Sequence, residues 1–299
     1  MNHVVWTQWE DLIVPVGFTK LTPTNCPLDS SDLSEITFYM PQYMSGRKAL
    51  EYTREMPNLK YLQVPNAGFD GVLEFLKPGT ILCNARGVHD APTAELAVAL
   101  AIGSRRGFHD FAIAQINGKW DQKTFPSLND SKIGIIGAGS IGRTLSRYLA
   151  PYNVEIILFS RSGTDGAERI SELDRLLPTL DFVFLALPLN DESKNLMNAQ
   201  RLSLMKDGAV LVNIARGAIV DTDALIAELN SGRIFAGLDV TNPEPLPNGH
   251  PLWSAKNCII TPHVGGNLTT FERWGKSFVE EQLQLLASGQ ELKNIVAQG

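Results

Sequence analysis

The sequence predicts an α/β protein of two doubly wound parallel-sheet domains, the second inserted into the smaller first. Three observations carry this. The 299 residues exceed one ordinary domain of about 100–200 residues and suit two. Short apolar runs alternate with helix-like segments along the chain, as when parallel strands are covered by helices. The later runs are richer in Val, Ile and Leu than the earlier ones, as strands buried on both faces are. Composition agrees, since 44% hydrophobic and 19% charged residues exclude a disordered chain. The net charge of −6, from 26 basic and 32 acidic residues, comes without a basic arm, which argues against nucleic-acid binding. No apolar run reaches the roughly 18 residues a bilayer span needs, and Met1–Thr7 has no signal-peptide pattern, so a cytoplasmic protein is expected. Cys26, Cys83 and Cys258 are far apart and form no C-x-x-C, so a disulfide framework or cysteine zinc site is not expected.

In chain order, His3–Trp6, Ile36–Met40, Leu59–Val64 and Ile81–Asn84 read as strands, with helices at Gly46–Glu55 and Phe69–Leu76. A long helix over Ala91–Arg105 follows, capped by Asp90, with Pro92 in its first turn. Its apolar face is Leu96, Ala97, Leu100 and Ala101. Six more strands read at Lys132–Ile136, Glu155–Phe159, Phe182–Leu187, Val210–Ile214, Ile234–Val240 and Cys258–Thr261. From Phe271 to about Ser288 the apolar spacing is helical again, long enough to return to the first domain. The expected domains are 1–90 with 270–299, and 91–269.

Gly137, Gly139 and Gly142 form G-x-G-x-x-G between a strand and a helix beginning near Thr144. Gly137 permits the tight turn, Gly139 a close approach of backbone to pyrophosphate, and Gly142 helix–strand packing. With Ser140 and Ile141 between them, these residues are the expected diphosphate contacts of a Rossmann domain. The next strand ends in Ser160-Arg161-Ser162, where NAD sites carry a carboxylate for the ribose hydroxyls. Arg161 offers donors to a 2′-phosphate, and no carboxylate is expected to repel one. The reading is NADP(H) preferred, NAD(H) being the alternative.

Three polar segments follow buried strands, where open α/β sheets build their sites: Asn213–Gly217, Gly237–Pro245 and Thr261–Gly266. Arg216 suits a substrate carboxylate, His263 can donate and recover a proton, and Glu244 would favour the imidazolium and orient it. An arginine, a carboxylate and a histidine are what reversible reduction of a 2-oxo acid requires.

These motifs, N-x-x-R-G, D-V-x-x-x-E-P and T-P-H-x-x-G, resemble those of the D-isomer-specific 2-hydroxyacid dehydrogenase family. The resemblance implies a Rossmann nucleotide domain in a flavodoxin-like substrate domain. It implies Arg216 as substrate and carbonyl anchor, Glu244 as partner of His263, and His263 as acid/base. Asp239 then lies near the nicotinamide, Leu187 and Pro188 along the adenine, and Ile214 and Ala215 near the nicotinamide, with Gly265 a further cofactor contact. Asn66, Ala67 and Gly68 resemble the loop whose backbone N–H groups hold the substrate carboxylate; by themselves they read only as a turn. Thr93-Ala94-Glu95 resembles the start of the interdomain helix, and Gly118-Lys119-Trp120 an intersubunit arm, which implies a homodimer.

The chain departs from the family at Ser160-Arg161-Ser162, which is similar to reductases that use NADPH for glyoxylate or hydroxypyruvate, and at Ser193, where many members have Thr. Glu244 argues against the formate dehydrogenase branch, which has Gln. A dinucleotide-sensing, non-enzymatic binding protein on the same frame is the alternative. Tyr39, Met40, Tyr43, Phe69 and Trp274 are the apolar candidates for the substrate pocket.

Overall fold

A computed structural model describes residues 2–299. They form two compact units, Met1–His89 with Thr269–Gly299, and Asp90–Leu268. In the first unit, β1 (Val4–Trp6), β2 (Thr19–Leu21), β3 (Phe38–Tyr39), β4 (Tyr61–Gln63) and β5 (Ile81–Cys83) are parallel, in the order β5-β4-β3-β1-β2. This is the flavodoxin-like order 2-1-3-4-5. The last strand, Ile295–Gln298, adds antiparallel to β5. Successive side chains leave opposite faces of a strand, so Val5 and Phe38 join one core and Trp6 and Tyr39 the other. The final helix, Thr270–Ala287, covers the Val5 face with Phe271, Val279 and Leu283.

The second unit has one parallel seven-stranded sheet. Its strands are β6 (Lys132–Ile136), β7 (Glu155–Ser160), β8 (Glu168–Arg169), β9 (Phe182–Leu185), β10 (Val210–Asn213), β11 (Phe235–Leu238) and β12 (Cys258–Ile260). The order β12-β11-β10-β9-β6-β7-β8 is the Rossmann arrangement, with its reversal between β6 and β9. Phe182, Phe184, Val210 and Val212 enter one core, and Val183, Leu185 and Leu211 the other. This is why these strands read as unbroken apolar runs. Helix α1 (Gly46–Glu51) belongs to the first unit; in the second, helix α2 (Asp90–Arg105) packs on one face through Ala94, Ala97, Leu100 and Ala101, and α3 (Phe108–Ile116) follows it.

Several expectations are corrected. Asp90 is the first residue of α2 rather than a cap before it. Phe69–Leu76 holds only a 3-10 turn at Leu73–Phe75, because Gly71 takes a positive φ and Pro78 follows too soon for an α-helical nucleus. The helix after the glycine loop, α4 (Ser140–Leu149), begins four residues before Thr144. The strand expected at Phe182–Leu187 ends at Leu185. The edge strands at Thr19–Leu21 and Glu168–Arg169 lack the apolar run by which the buried strands are read, and the antiparallel Ile295–Gln298 is not among the expected strands although Ile295, Val296 and Ala297 are apolar. Tyr39 and Met40, expected at the substrate pocket, are wholly buried in the first unit's two cores. Among the described residues, no helix is long and apolar enough to cross a membrane.

Candidate active site

The glycine loop follows β6 directly. A Cβ on Gly137, whose φ is +116°, would lie 2.2 Å from the Ala186 carbonyl oxygen. One on Gly142 would lie 1.9 Å from the Gly137 carbonyl oxygen. A Cβ on Gly139 would meet nothing within 4 Å. Two glycines are thus required by packing, and the third keeps the space above the loop open. Arg143 N donates to Gly139 O at 3.0 Å and so closes the first turn of α4 on this loop. The N–H groups of Ser140, Ile141 and Gly142 precede it, at the positive end of the helix. Asp90 accepts a hydrogen bond from the Ser140 hydroxyl at 3.2 Å. An open cradle with N-terminal N–H groups fits a dinucleotide diphosphate.

Beside this loop is a cavity of about 620 Å³, walled also by Ser160, Arg161, Ser162, Leu187 and Pro188. Here the expectation of a site without carboxylates is corrected. Glu192 and Asp165 line the same cavity, and Glu192 lies 3.7 Å from Arg161. Both partners are exposed, 82% for Arg161 and 70% for Glu192. Glu192 arrives from the segment after β9, far from Arg161 in sequence. The hydroxyls are also engaged: Ser160 accepts from Gly163 N, and Ser162 bonds Thr164. Ser193 closes its own turn, donating to Pro188 O at 2.8 Å and accepting from Asn190 N at 2.8 Å.

The second cluster lies past β10, β11 and β12. Buried Asn213 shapes the turn that carries Arg216. Its side chain accepts from Ala215 N at 3.1 Å and donates to Arg216 O at 2.9 Å. Arg216 Nη1 donates to Ala215 O at 2.7 Å. Gly217 has no alternative, since a Cβ there would sit 1.9 Å from Thr241 O. Ile214 and Ala215 are buried just before Arg216.

Asp239 is 3% exposed, and its carboxylate accepts from the Thr261 hydroxyl at 2.7 Å and from Val264 N and Gly265 N, both at 2.9 Å. Its backbone carbonyl accepts from His263 N at 2.8 Å. Asp239 therefore ties down the loop that presents His263. His263 itself takes a left-handed φ of 55°, rare for a residue with a side chain. Sequence reasoning gave Asp239 a place near the nicotinamide and missed this anchoring role. It also missed Asn213 and Thr261, although both stand inside the quoted motifs.

His263 Nδ1 lies 2.6 Å from Glu244 Oε1. That bond, above all, raises the His263 pKa; partial burial and the Arg216 charge oppose it, while Glu244 and Asp239 charges add to it. Burial works against ionisation of Glu244, yet the bond to His263, its charge, Thr241 N and Arg216 together hold the carboxyl below its ordinary value. Each partner thus favours the charged form of the other.

Of the remaining expected residues, Asn66, Ala67 and Gly68 form the turn after β4 in the first unit. Asn66 and Gly68 border a cavity of about 390 Å³ within that unit. Trp120 follows helix α3 (Phe108–Ile116) and is 94% exposed. Among the described residues, no cluster of His, Cys, Asp and Glu could hold a metal.

Residues 98–265, more than half of the chain, match the model of the D-isomer specific 2-hydroxyacid dehydrogenase NAD binding domain. The glyoxylate reductase/hydroxypyruvate reductase of Homo sapiens is 37% identical over 224 residues, 70% of this chain and 68% of its own. A D-isomer specific 2-hydroxyacid dehydrogenase family protein of Aeromonas salmonicida has the same fold, with TM-score 0.86 and 23% identity over 99% of both chains. A D-isomer specific 2-hydroxyacid dehydrogenase of Xanthobacter autotrophicus, solved with NADPH and MES, gives TM-score 0.77 and 25% identity. That match covers 99% of this chain and 98% of the other. The chain belongs to the D-isomer specific 2-hydroxyacid dehydrogenase family. It is an NAD(P)-dependent oxidoreductase acting on a CH–OH group, the reverse reaction being reduction of a 2-oxo acid. The enzyme reading therefore stands over that of a non-enzymatic binding protein.

Proposed function

We propose that the protein reduces a small 2-oxo acid to the D-2-hydroxy acid, with His263 as acid/base, Glu244 as its partner and Arg216 as substrate anchor. The observation that carries this is the 2.6 Å bond between His263 and Glu244. A bound nicotinamide supplies the hydride that the carbonyl carbon accepts. With Nδ1 held by Glu244, His263 has Nε2 to give a proton to the carbonyl oxygen, and to take it back in oxidation. The Arg216 guanidinium offers planar donors to the substrate carboxylate and the carbonyl oxygen. Backbone N–H groups of Asn66, Ala67 and Gly68 hold the carboxylate in this reading.

The cofactor reading is NADP(H) preferred over NAD(H), supported by Arg161 at the cavity wall. The Glu192 pair makes that preference moderate rather than absolute. Ile214, Ala215, Asp239 and Gly265 serve the nicotinamide end, and Leu187 and Pro188 the adenine end. A homodimer is also proposed, supported by the exposure of Phe108, Ile113, Ile116 and Trp120 on and after α3; light scattering of Trp120→Asp against the parent tests it.

The functional test follows NADPH absorbance with glyoxylate, hydroxypyruvate, pyruvate and bulkier 2-oxo acids. Turnover of at least one, with the D-hydroxy acid as product, is expected. No turnover with any of them would reject the substrate class.

A further inference from the structure

The turn after β4 is held in an unusual way. Three successive carbonyls of this turn are taken up by one short segment of the same unit, Asn84–His89. Pro65 O lies 2.8 Å from His89 Nε2. Asn66 O accepts from Ala85 N at 3.0 Å. Ala67 O accepts from Asn84 Nδ2 at 2.6 Å.

A trans peptide carries its N–H opposite its C=O. Drawing the carbonyls of residues 65, 66 and 67 toward one segment turns the N–H groups of Asn66, Ala67 and Gly68 away from it. Three N–H groups turned the same way make an anion-binding concavity for a carboxylate. The concavity is thus set by what lies behind the loop.

Two of the three donors are side chains. Asn84 is 5% exposed and His89 6%. A carbonyl acceptor requires that His89 Nε2 carry its hydrogen. The ring itself is gripped: it stacks on Phe271 at 5.2 Å and an interplanar angle of 7°, and Tyr43 stacks 3.9 Å from Phe271. The final helix carries Phe271, so that helix fixes the imidazole and the imidazole fixes the loop.

We infer that His89 and Asn84 are positioning residues for substrate-carboxylate binding, acting through the carbonyls of Pro65 and Ala67. This rests on the reading that the Asn66–Gly68 backbone holds the carboxylate. It assigns the quality of that site to two buried side chains that touch no substrate.

The test uses the preferred 2-oxo acid of the panel with saturating NADPH. His89→Phe keeps a ring for the stack and removes the ring nitrogens, with them the Nε2 donor to Pro65 O. Its KM for the 2-oxo acid should rise about tenfold, because the lost bond leaves a buried carbonyl unpaired. The kcat at saturating substrate and the NADPH Kd from fluorescence should change less than about twofold, since neither depends on the loop. His89→Gln, which can still donate, should recover most of the KM. Asn84→Ala should raise KM in the same manner and decides the matter if His89→Phe does not fold. Ala67→Pro removes one of the outward N–H groups and tests the loop itself. If Ala67→Pro raises KM while His89→Phe and Asn84→Ala do not, the positioning inference fails and the carboxylate reading survives. If KM is unmoved in all three, the loop is not the carboxylate site and both fall. Equal losses in NADPH affinity and kcat would mark a general structural role and overturn the inference.

Discussion

The two ends of the nucleotide unit's site are built differently. At the proposed catalytic end, a buried Asp239 carboxylate takes three hydrogen bonds from the His263 loop, and Asn213 pins the turn of Arg216. At the end proposed to discriminate between cofactors, Arg161 and Glu192 meet at 3.7 Å with most of both side chains in solvent. A shape held by buried bonds at 2.7–2.9 Å resists displacement, whereas an exposed ion pair is worth about 0–1 kcal/mol and is screened by salt. The proposed reaction geometry is therefore rigidly held, and the proposed cofactor discrimination rests on a soft contact.

Substitutions at the rigid end should have the largest effects. His263→Ala should lower turnover by about 10²- to 10⁴-fold, the usual worth of general acid–base catalysis, while NADPH Kd stays near that of the parent. Steady-state kinetics with a fluorescence titration checks this; near-normal turnover across the pH range would remove His263 from the chemistry.

Next comes Arg216→Lys, because an ammonium cannot reproduce a planar fork. Loss of a charge-assisted bond is worth about 1.5–3 kcal/mol, or roughly ten- to a hundredfold in kcat/KM. Unchanged kinetics with the preferred 2-oxo acid would show that Arg216 does not hold the substrate.

Glu244→Gln should act on pH dependence. In the proposed mechanism reduction needs the imidazolium, and the bond to Glu244 is the leading cause of the raised His263 pKa. Without the carboxylate, protonation should fail at lower pH, so the descending limb of the reduction profile moves down. A limb that stays in place, or moves up, contradicts the pairing.

The soft end should respond least. Arg161→Ala should cut the NADPH-over-NADH ratio in kcat/KM about tenfold at low salt. Glu192→Gln should raise that ratio by about two- to fivefold, and only while Arg161 is present. Equal use of both cofactors by the parent would end the NADP(H) preference, and an effect of Glu192→Gln in the Arg161→Ala background would disconnect the pair.

The sequence alone determined what short-range chemistry can specify. Buried parallel strands announce themselves as apolar runs because both faces are covered, and Gly137, Gly139 and Gly142 stand between a strand and a helix at the spacing of a dinucleotide loop. The motifs that contain Arg216, Glu244 and His263 put three chemistries at strand ends, and the sheet then brings Glu244 to His263 across 19 residues. Tertiary structure alone decided what depends on distant partners. Edge strands such as Glu168–Arg169 have no pattern of their own, because only pairing makes them strands. Glu192 reaches Arg161 over 31 residues through the reversal of strand order. Asp239 orders the His263 loop, and His89 and Asn84 hold the Pro65 and Ala67 carbonyls behind Asn66–Gly68. Nothing in those side chains' local sequence specifies that task, because a hydrogen bond's partner is fixed by where the chain returns.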